Sequence, residues 1–316
     1  MNFKDRTKKW KRDFARNALY VSSAFFNVLP YSLVKVFMRI FMFIGFPLVV
    51  RQRKMAMESL RIAFGTEKSD EEIDRIARTC FENIGQGMVE LIYFMAHPKM
   101  INEKVSFEGR EHLDAALAAG NGVIAVSAHF GNFPLMLLRL AQAGYKTNAI
   151  IRPARDLEIE KYFFSLRSRL GLNTIYALPR KECVDNSLRV LRNNEILFIP
   201  LDQNFGSGGG VFVEFFGQKA ATATGPVVFA KRTKAPILPM FVIRESGDQY
   251  KVIIEPPLAL EVRADDEEET LVNVSKITRL IEKYIRRYPH EWGWMHRRWK
   301  TKEAQADAAA AGATKA

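Results

Sequence analysis

The chain has 316 residues, of which 48% are hydrophobic and 26% charged, a composition that excludes wholesale disorder and a polytopic membrane protein. Its two cysteines, Cys80 and Cys183, are too few and too far apart for a disulfide framework or a CxxC metal site. The formal net charge is +12, and residues 1–61 alone carry 13 basic against 3 acidic side chains. Here the charge coincides with an apolar run (Phe37, Met38, Ile40, Phe41, Met42, Phe43, Ile44, Phe46), a pairing that suits an anionic membrane surface better than nucleic acid.

In chain order, residues 17–29 are apolar up to Pro30, and 31–50 follow with Lys35 and Arg39 embedded. A spanning helix needs about 20 mostly apolar residues without central charge, so the segment only partly qualifies. No small-residue cleavage site follows it. An uncleaved anchor or an interfacial hairpin is the preferred reading, and two core helices of a soluble protein are the alternative. The cluster Lys4, Arg6, Lys8, Lys9, Lys11 and Arg12 then belongs on the cytoplasmic side. Topology stays open, because Arg51, Arg53 and Lys54 beyond the apolar stretch are equally basic.

From 55 to 96 the apolar spacing is helical, with a helix start at Ser69-Asp-Glu-Glu after a turn at Gly65. The body then alternates strand and helix. Strands are predicted at 122–127, 147–151, 196–201, 237–242 and 250–254, and helices at 135–143, 157–170, 187–192, 224–233 and 268–287. That alternation predicts an α/β fold, a mostly parallel central sheet flanked by helices, preceded by the N-terminal membrane-associated segment. The expected organisation is a membrane-associated segment over 1–54, one α/β domain over 55–300, and a disordered Ala-rich tail over 301–316.

Ligands of such sheets gather at the C-terminal strand ends, and His129, Arg152 and Asp202 each follow a predicted strand closely. A histidine between a strand and a helix suits a general base near neutral pH. The glycine run Phe205-Gly-Ser-Gly-Gly-Gly-Val lacks the Lys-Ser/Thr of a nucleotide loop. The five histidines show no paired-ligand spacing, so neither metal nor cofactor is expected.

The stretches SAHFGNFPLM (127–136), IIRPARD ending at Asp156, PLDQNFGSGGGVFVEFFGQKAATATGP (200–226), KAPILPMF (234–241) and PHEWGWMHRRWK (289–300) resemble the lipid A late acyltransferases of Gram-negative bacteria, within the lysophospholipid acyltransferase-like superfamily. The resemblance covers about residues 15–300. It implies an inner-membrane enzyme of the cytoplasmic face that moves a fatty acyl chain from acyl carrier protein, or less favourably coenzyme A, to a hydroxyl of a lipid A precursor. It also implies that His129 is the base and that Arg152 meets the anionic acceptor, with Arg167, Arg169 and Arg189 extending that surface. Asn132, Gln203, Asn204, Phe215, Phe216, Gly217 and Thr222 then contact substrate, with a core position the equal alternative for Phe215 or Phe216. His296, Arg297 and Arg298 among Trp292, Trp294 and Trp299 suit a headgroup interface, with ordinary packing under a charged rim as the alternative, and backbone amides near Phe130 to Asn132 are candidate oxyanion donors.

One position departs from the family pattern. The family places an acid five residues after the histidine, and here that residue is Pro134. Proline can neither orient an imidazole nor carry charge, although it suits a first helical turn. Another carboxylate takes over, the histidine works alone, or acyl transfer has been lost. Asp202 is the best substitute and Glu90 a weaker one; a backbone-capping role for Asp202 and a solvated helix face for Glu90 are their structural alternatives. The rival functions are transfer to another lysolipid or glycolipid, and a non-catalytic lipid-binding role.

Overall fold

The structure, a computed structural model, describes residues 3–206 and 210–303, with side chains from Trp10 onward except at 11 and 15. Seven strands form the central sheet: β1 (Val105–Glu108), β2 (Val123–Ser127), β3 (Thr147–Ile151), β4 (Leu172–Tyr176), β5 (Ile196–Pro200), β8 (Ile237–Arg244) and β9 (Tyr250–Ile254). Their order is β1-β9-β8-β2-β5-β3-β4. The run from β8 to β4 is parallel, β9 turns back antiparallel on β8, and β1 lies parallel to β9. A separate antiparallel hairpin is built from β6 (Gly210–Phe215) and β7 (Gln218–Ala223).

The central strands are short apolar runs because both faces of a parallel sheet are covered, and β2 is buried at every position. Successive side chains alternate between faces. Ile124, Val126, Leu197 and Ile199 therefore join one core with α3 (Val50–Phe64), α4 (Asp70–Ala96), α9 (Arg180–Arg192), α10 (Gly225–Thr233) and α11 (Asp266–Arg287). Val123, Ala125, Ile196 and Phe198 join a second core with α6 (Arg110–Ala118), α7 (Phe133–Gln142) and α8 (Leu157–Arg169).

The helix starts follow the capping signals in the sequence. Ser69 and Glu72 close a reciprocal capping box at α4. Asp156 and Asp265 cap α8 and α11 by accepting backbone N–H groups of the first turn.

At the N-terminus, α1 (Phe3–Val28) and α2 (Tyr31–Leu48) meet at Pro30, which has no N–H to continue a helix. By length and composition α2 is able to cross a membrane, and 11% of it is buried. Val34 and Met38 of α2 pack with Phe26 of α1 and Tyr93 and Phe94 of α4 in the second core. Position 54 lies inside α3, so one helix runs through the expected segment boundary. From residue 304 the Ala-rich tail lies outside the described residues, as do Ser207 to Gly209 of the glycine run and the side chains of Lys4, Arg6, Lys8, Lys9 and Lys11.

Two strands, the hairpin, α6, the short helix Pro98–Lys104 and part of α9 lie outside the predicted elements. β1 has only four residues, and β4 interrupts its apolar positions with Asn173 and Thr174. In the hairpin β7 is made of small and polar residues, β6 carries Val211, Phe212, Val213 and Phe215 directly after the glycine run, and the two strands pair with each other. α9 begins seven residues before its expected start, through a stretch (RKECVDN) in which Cys183 alone is a buried hydrophobe.

Candidate active site

The parallel register assembles the site. Ser127 of β2 pairs with Pro200 of β5, so His129 and Asp202 each lie two residues beyond adjacent strand ends. On the other side of β5, Ala149 of β3 pairs with Phe198, which brings Arg152 to the same rim. Neighbouring strands lie about 4.8 Å apart, a spacing that short side chains bridge.

His129 Nδ1 is 2.8 Å from Asp202 Oδ1, and Trp292 Nε1 donates to Asp202 Oδ2 at 2.7 Å. The imidazole is 27% exposed and the Asp202 side chain is fully buried. Burial alone raises a carboxyl pKa, but the charge and hydrogen bond of His129, together with the Trp292 N–H, bring Asp202 down to about 2. Burial pulls the imidazole down, while the Asp202 charge and hydrogen bond outweigh it, so His129 sits above its ordinary value. Asp202 thus assigns the proton to Nδ1 and leaves the Nε2 lone pair free to accept one.

Position 134 plays no part in this pairing. Pro134 occupies the first turn of α7 beside Asn132, the residue preceding that helix. Glu90, the other carboxylate considered, is not solvated, and its hydrogen bonds go to groups other than the imidazole. It is fully buried, its oxygens take Arg244 at 2.6 and 3.2 Å, Tyr31 at 2.9 Å, Gln86 at 2.9 Å and the Tyr250 hydroxyl, and it ties α4 to β8.

Two cavities meet at His129. One, of about 420 Å³, is walled by Leu137, Leu138, Ile150, Phe163, Leu172 and Phe198, with Arg152, Arg167 and Gln203 among its polar lining. The other, of about 220 Å³, mixes apolar Ile84, Met88 and Met295 with Asn83, Asn132, Arg244, Tyr250, Glu291 and His296. His129, Phe133, Pro134 and Leu91 belong to both. The Phe133 ring meets the imidazole edge to face, with centroids 5.1 Å apart.

The remaining predicted residues divide. Arg152 is exposed and lines the apolar cavity. Arg167 is held by Glu160 at 2.7 Å, and Glu160 also accepts the Ala154 N–H, so Arg167 braces the loop after Arg152. Arg169 reaches the Met95 carbonyl, exposed Arg189 sits on α9, and neither lines a described cavity. Asn132 donates to Gly87 O at 3.0 Å from the wall of the smaller cavity. The Gln203 amide nitrogen is 3.1 Å from His129 Nε2 and 3.4 Å from His296 Nε2. Asn204 instead exchanges two hydrogen bonds with Thr301, fastening the C-terminal segment.

Several expectations are corrected by burial. Phe215 and Phe216 are core residues packed on Trp292, Trp294 and Trp299. Thr222 is fully buried against Arg298, and Gly217 sits at the hairpin turn with φ +68°; none of the four lines either cavity. The three tryptophans and Arg298 are buried as well, so they form the floor beneath Asp202 rather than a headgroup interface. Of the expected oxyanion donors, the Gly131 N–H is already given to Glu291 O at 2.7 Å.

Sequence reasoning missed Phe133, Asn83, Arg244, Tyr250 and Glu291. Arg244 ends β8 as Arg152 follows β3, a strand-end signal that was there to be used. Glu291 is buried in the terminal aromatic block, and burial pushes its carboxyl up to about 7 against the lowering influence of Arg244.

The sequence profile of the bacterial lipid A biosynthesis acyltransferases matches residues 7–301. The lipid A biosynthesis palmitoleoyltransferase of Escherichia coli K12 is 26% identical over 262 residues, 81% of each chain. The lipid A biosynthesis lauroyltransferase of the same organism is 28% identical over 259 residues, 80% of each chain. A solved structure, the 1-acyl-sn-glycerophosphate acyltransferase of Thermotoga maritima, aligns with 86% of this chain and 98% of its own at 15% identity and a TM-score of 0.38. With the profile spanning nearly its whole length, the chain belongs to the bacterial lipid A biosynthesis acyltransferase family and is an acyltransferase.

Proposed function

We propose that this enzyme transfers a fatty acyl chain from an acyl carrier protein thioester to a hydroxyl of a lipid A precursor, at the cytoplasmic face of the inner membrane. The observation that carries the reading is an imidazole braced by a buried carboxylate where two cavities with largely apolar walls meet. The acyl chain occupies the cavity walled by Leu137, Leu138 and Phe198, and Arg152 meets an anionic group of the acceptor.

His129 Nε2 takes the proton of the acceptor hydroxyl as its oxygen attacks the thioester carbonyl carbon. The tetrahedral intermediate collapses, the C–S bond breaks, and the imidazolium returns its proton to the leaving thiolate. Both substrates are held together, so no acyl-enzyme is needed. Asp202 is the positioning carboxylate, replacing from β5 the acid that position 134 lacks. The basic chain, at +12, favours an acidic carrier protein as donor. The exposed apolar side chains of α2, Phe41, Phe43 and Ile44 among them, lie against the bilayer.

The test is transfer of a labelled acyl group from acyl carrier protein to a tetra-acylated lipid A precursor. Wild type is expected to transfer, and His129→Ala to lose on the order of 10²–10⁴ in rate. Full transfer by His129→Ala ends the assignment of the base. Transfer only to a lysophospholipid replaces the acceptor.

A further inference from the structure

With the Gly131 N–H committed to Glu291 O, the backbone turn after β2 offers one donor fewer to a developing oxyanion. A different donor already points at the reacting position. Asp202 holds the proton of His129 on Nδ1, so Nε2 carries a lone pair, and the group beside it at 3.1 Å is the side-chain amide nitrogen of Gln203. That –NH₂ has two hydrogens. The same nitrogen lies 3.4 Å from His296 Nε2, within reach of its second hydrogen, on an imidazole whose pKa burial holds below the ordinary value.

From this geometry we infer that the Gln203 carboxamide is an oxyanion donor of the acyl transfer and that His296 is its positioning residue. The inference rests on the acyltransfer reading above. When the acceptor hydroxyl takes the place of the amide on His129 Nε2, Gln203 stays hydrogen-bonded to His296. One N–H is then free beside the carbonyl under attack, where negative charge develops.

The main chain of Gln203 is anchored independently. Its carbonyl accepts from Arg298 Nη1 at 3.2 Å, and Arg298 is fully buried with further bonds to Ala221 O and Thr222 Oγ1. The amide therefore swings from a fixed backbone between two imidazoles whose ring centroids are 5.4 Å apart.

The experiment measures kcat and donor KM with an acyl carrier protein thioester for wild type, Gln203→Leu, Gln203→Glu, His296→Ala and the Gln203→Leu/His296→Ala double variant. Gln203→Leu is expected to lower kcat by about 10²–10³ with donor KM within about threefold and the acid limb of the kcat profile unmoved, because in the substrate complex the acceptor hydroxyl has already replaced the amide on His129 and the donor acts on the transition state. Gln203→Glu, which replaces the N–H donor by an anion, should lose at least as much, and it serves if the leucine variant fails to fold. His296→Ala should cost about tenfold alone and nothing further in the Gln203→Leu background, as expected of a residue acting through another. A Gln203→Leu enzyme within about threefold of wild-type kcat, or single losses that simply multiply in the double variant, overturns the inference while leaving His129 chemistry intact. An inert wild type overturns the acyltransfer reading and this inference with it.

Discussion

Asp202 commits one oxygen to His129 and the other to Trp292, so the carboxylate has a single orientation and the imidazole a single tautomer. Only neutral imidazole accepts a proton, and Asp202 raises the His129 pKa above 6.5, so activity falls as pH drops through that raised value. Asp202→Asn removes the charge: the rate should fall by on the order of 10²–10⁴, and the acid limb of kcat/KM should move to lower pH. A limb that stays in place shows that another group sets it. The same carboxylate adds stability above its ordinary value of 3.8 that is lost as pH falls toward about 2. Acid unfolding of Asp202→Asn should accordingly be shallower over that window. Restoring the family acid is expected to fail, because His129 Nδ1–H is already taken. Pro134→Glu should leave kcat no higher than wild type, and a clear gain in turnover would show that Asp202 is an imperfect substitute.

At the scale of elements, the site is a junction of strand ends held from behind by helices. α4 contributes the buried Glu90, whose ion pair with Arg244 locks it to the end of β8. Removing one partner of such a pair leaves the other charge buried and alone, so Glu90→Ala should destabilise the fold by about 3–5 kcal/mol in chemical unfolding. Ser69→Ala, which opens the capping box at the far end of α4, should cost about 1 kcal/mol in the same measurement and leave transfer unchanged. These elements differ in how openly the sequence declares them. Ser69, Asp156 and Asp265 mark helix starts by local chemistry, and β2 and β5 are unbroken apolar runs. β4 and the β6–β7 hairpin lack such runs: β4 owes its place to pairing with β3, and the two hairpin strands owe theirs to each other.

Over the whole molecule, charge and apolar exposure are distributed unequally. The basic excess lies toward the N-terminus, where α2 leaves Phe41 59% and Phe43 84% exposed while Val34 and Met38 hold it to the body. Binding to vesicles containing anionic lipid should therefore weaken as salt is raised. Full burial of each phenylalanine contributes roughly 1.5–3 kcal/mol, so Phe41→Asp/Phe43→Asp should lower vesicle partitioning more than tenfold, with the thermal unfolding midpoint in detergent unchanged. Unaltered sedimentation with vesicles would remove α2 from the interface.

What the sequence determined by itself were the properties carried by neighbouring residues: the strand and helix alternation, the capping signals, the break at Pro30, and a histidine placed directly after a strand. The absence of an acid at position 134 was equally plain. Which carboxylate faces His129 was decided only by the tertiary structure, because Asp202 reaches it through the register of two parallel strands 73 residues apart in the chain. Burial was settled there too. In one dimension Glu90 reads as a solvated helix face, and Arg298 and the tryptophans of the terminal block read either as a headgroup interface or as ordinary packing. They are enclosed because burial depends on what the rest of the chain packs around them, which local spacing does not encode.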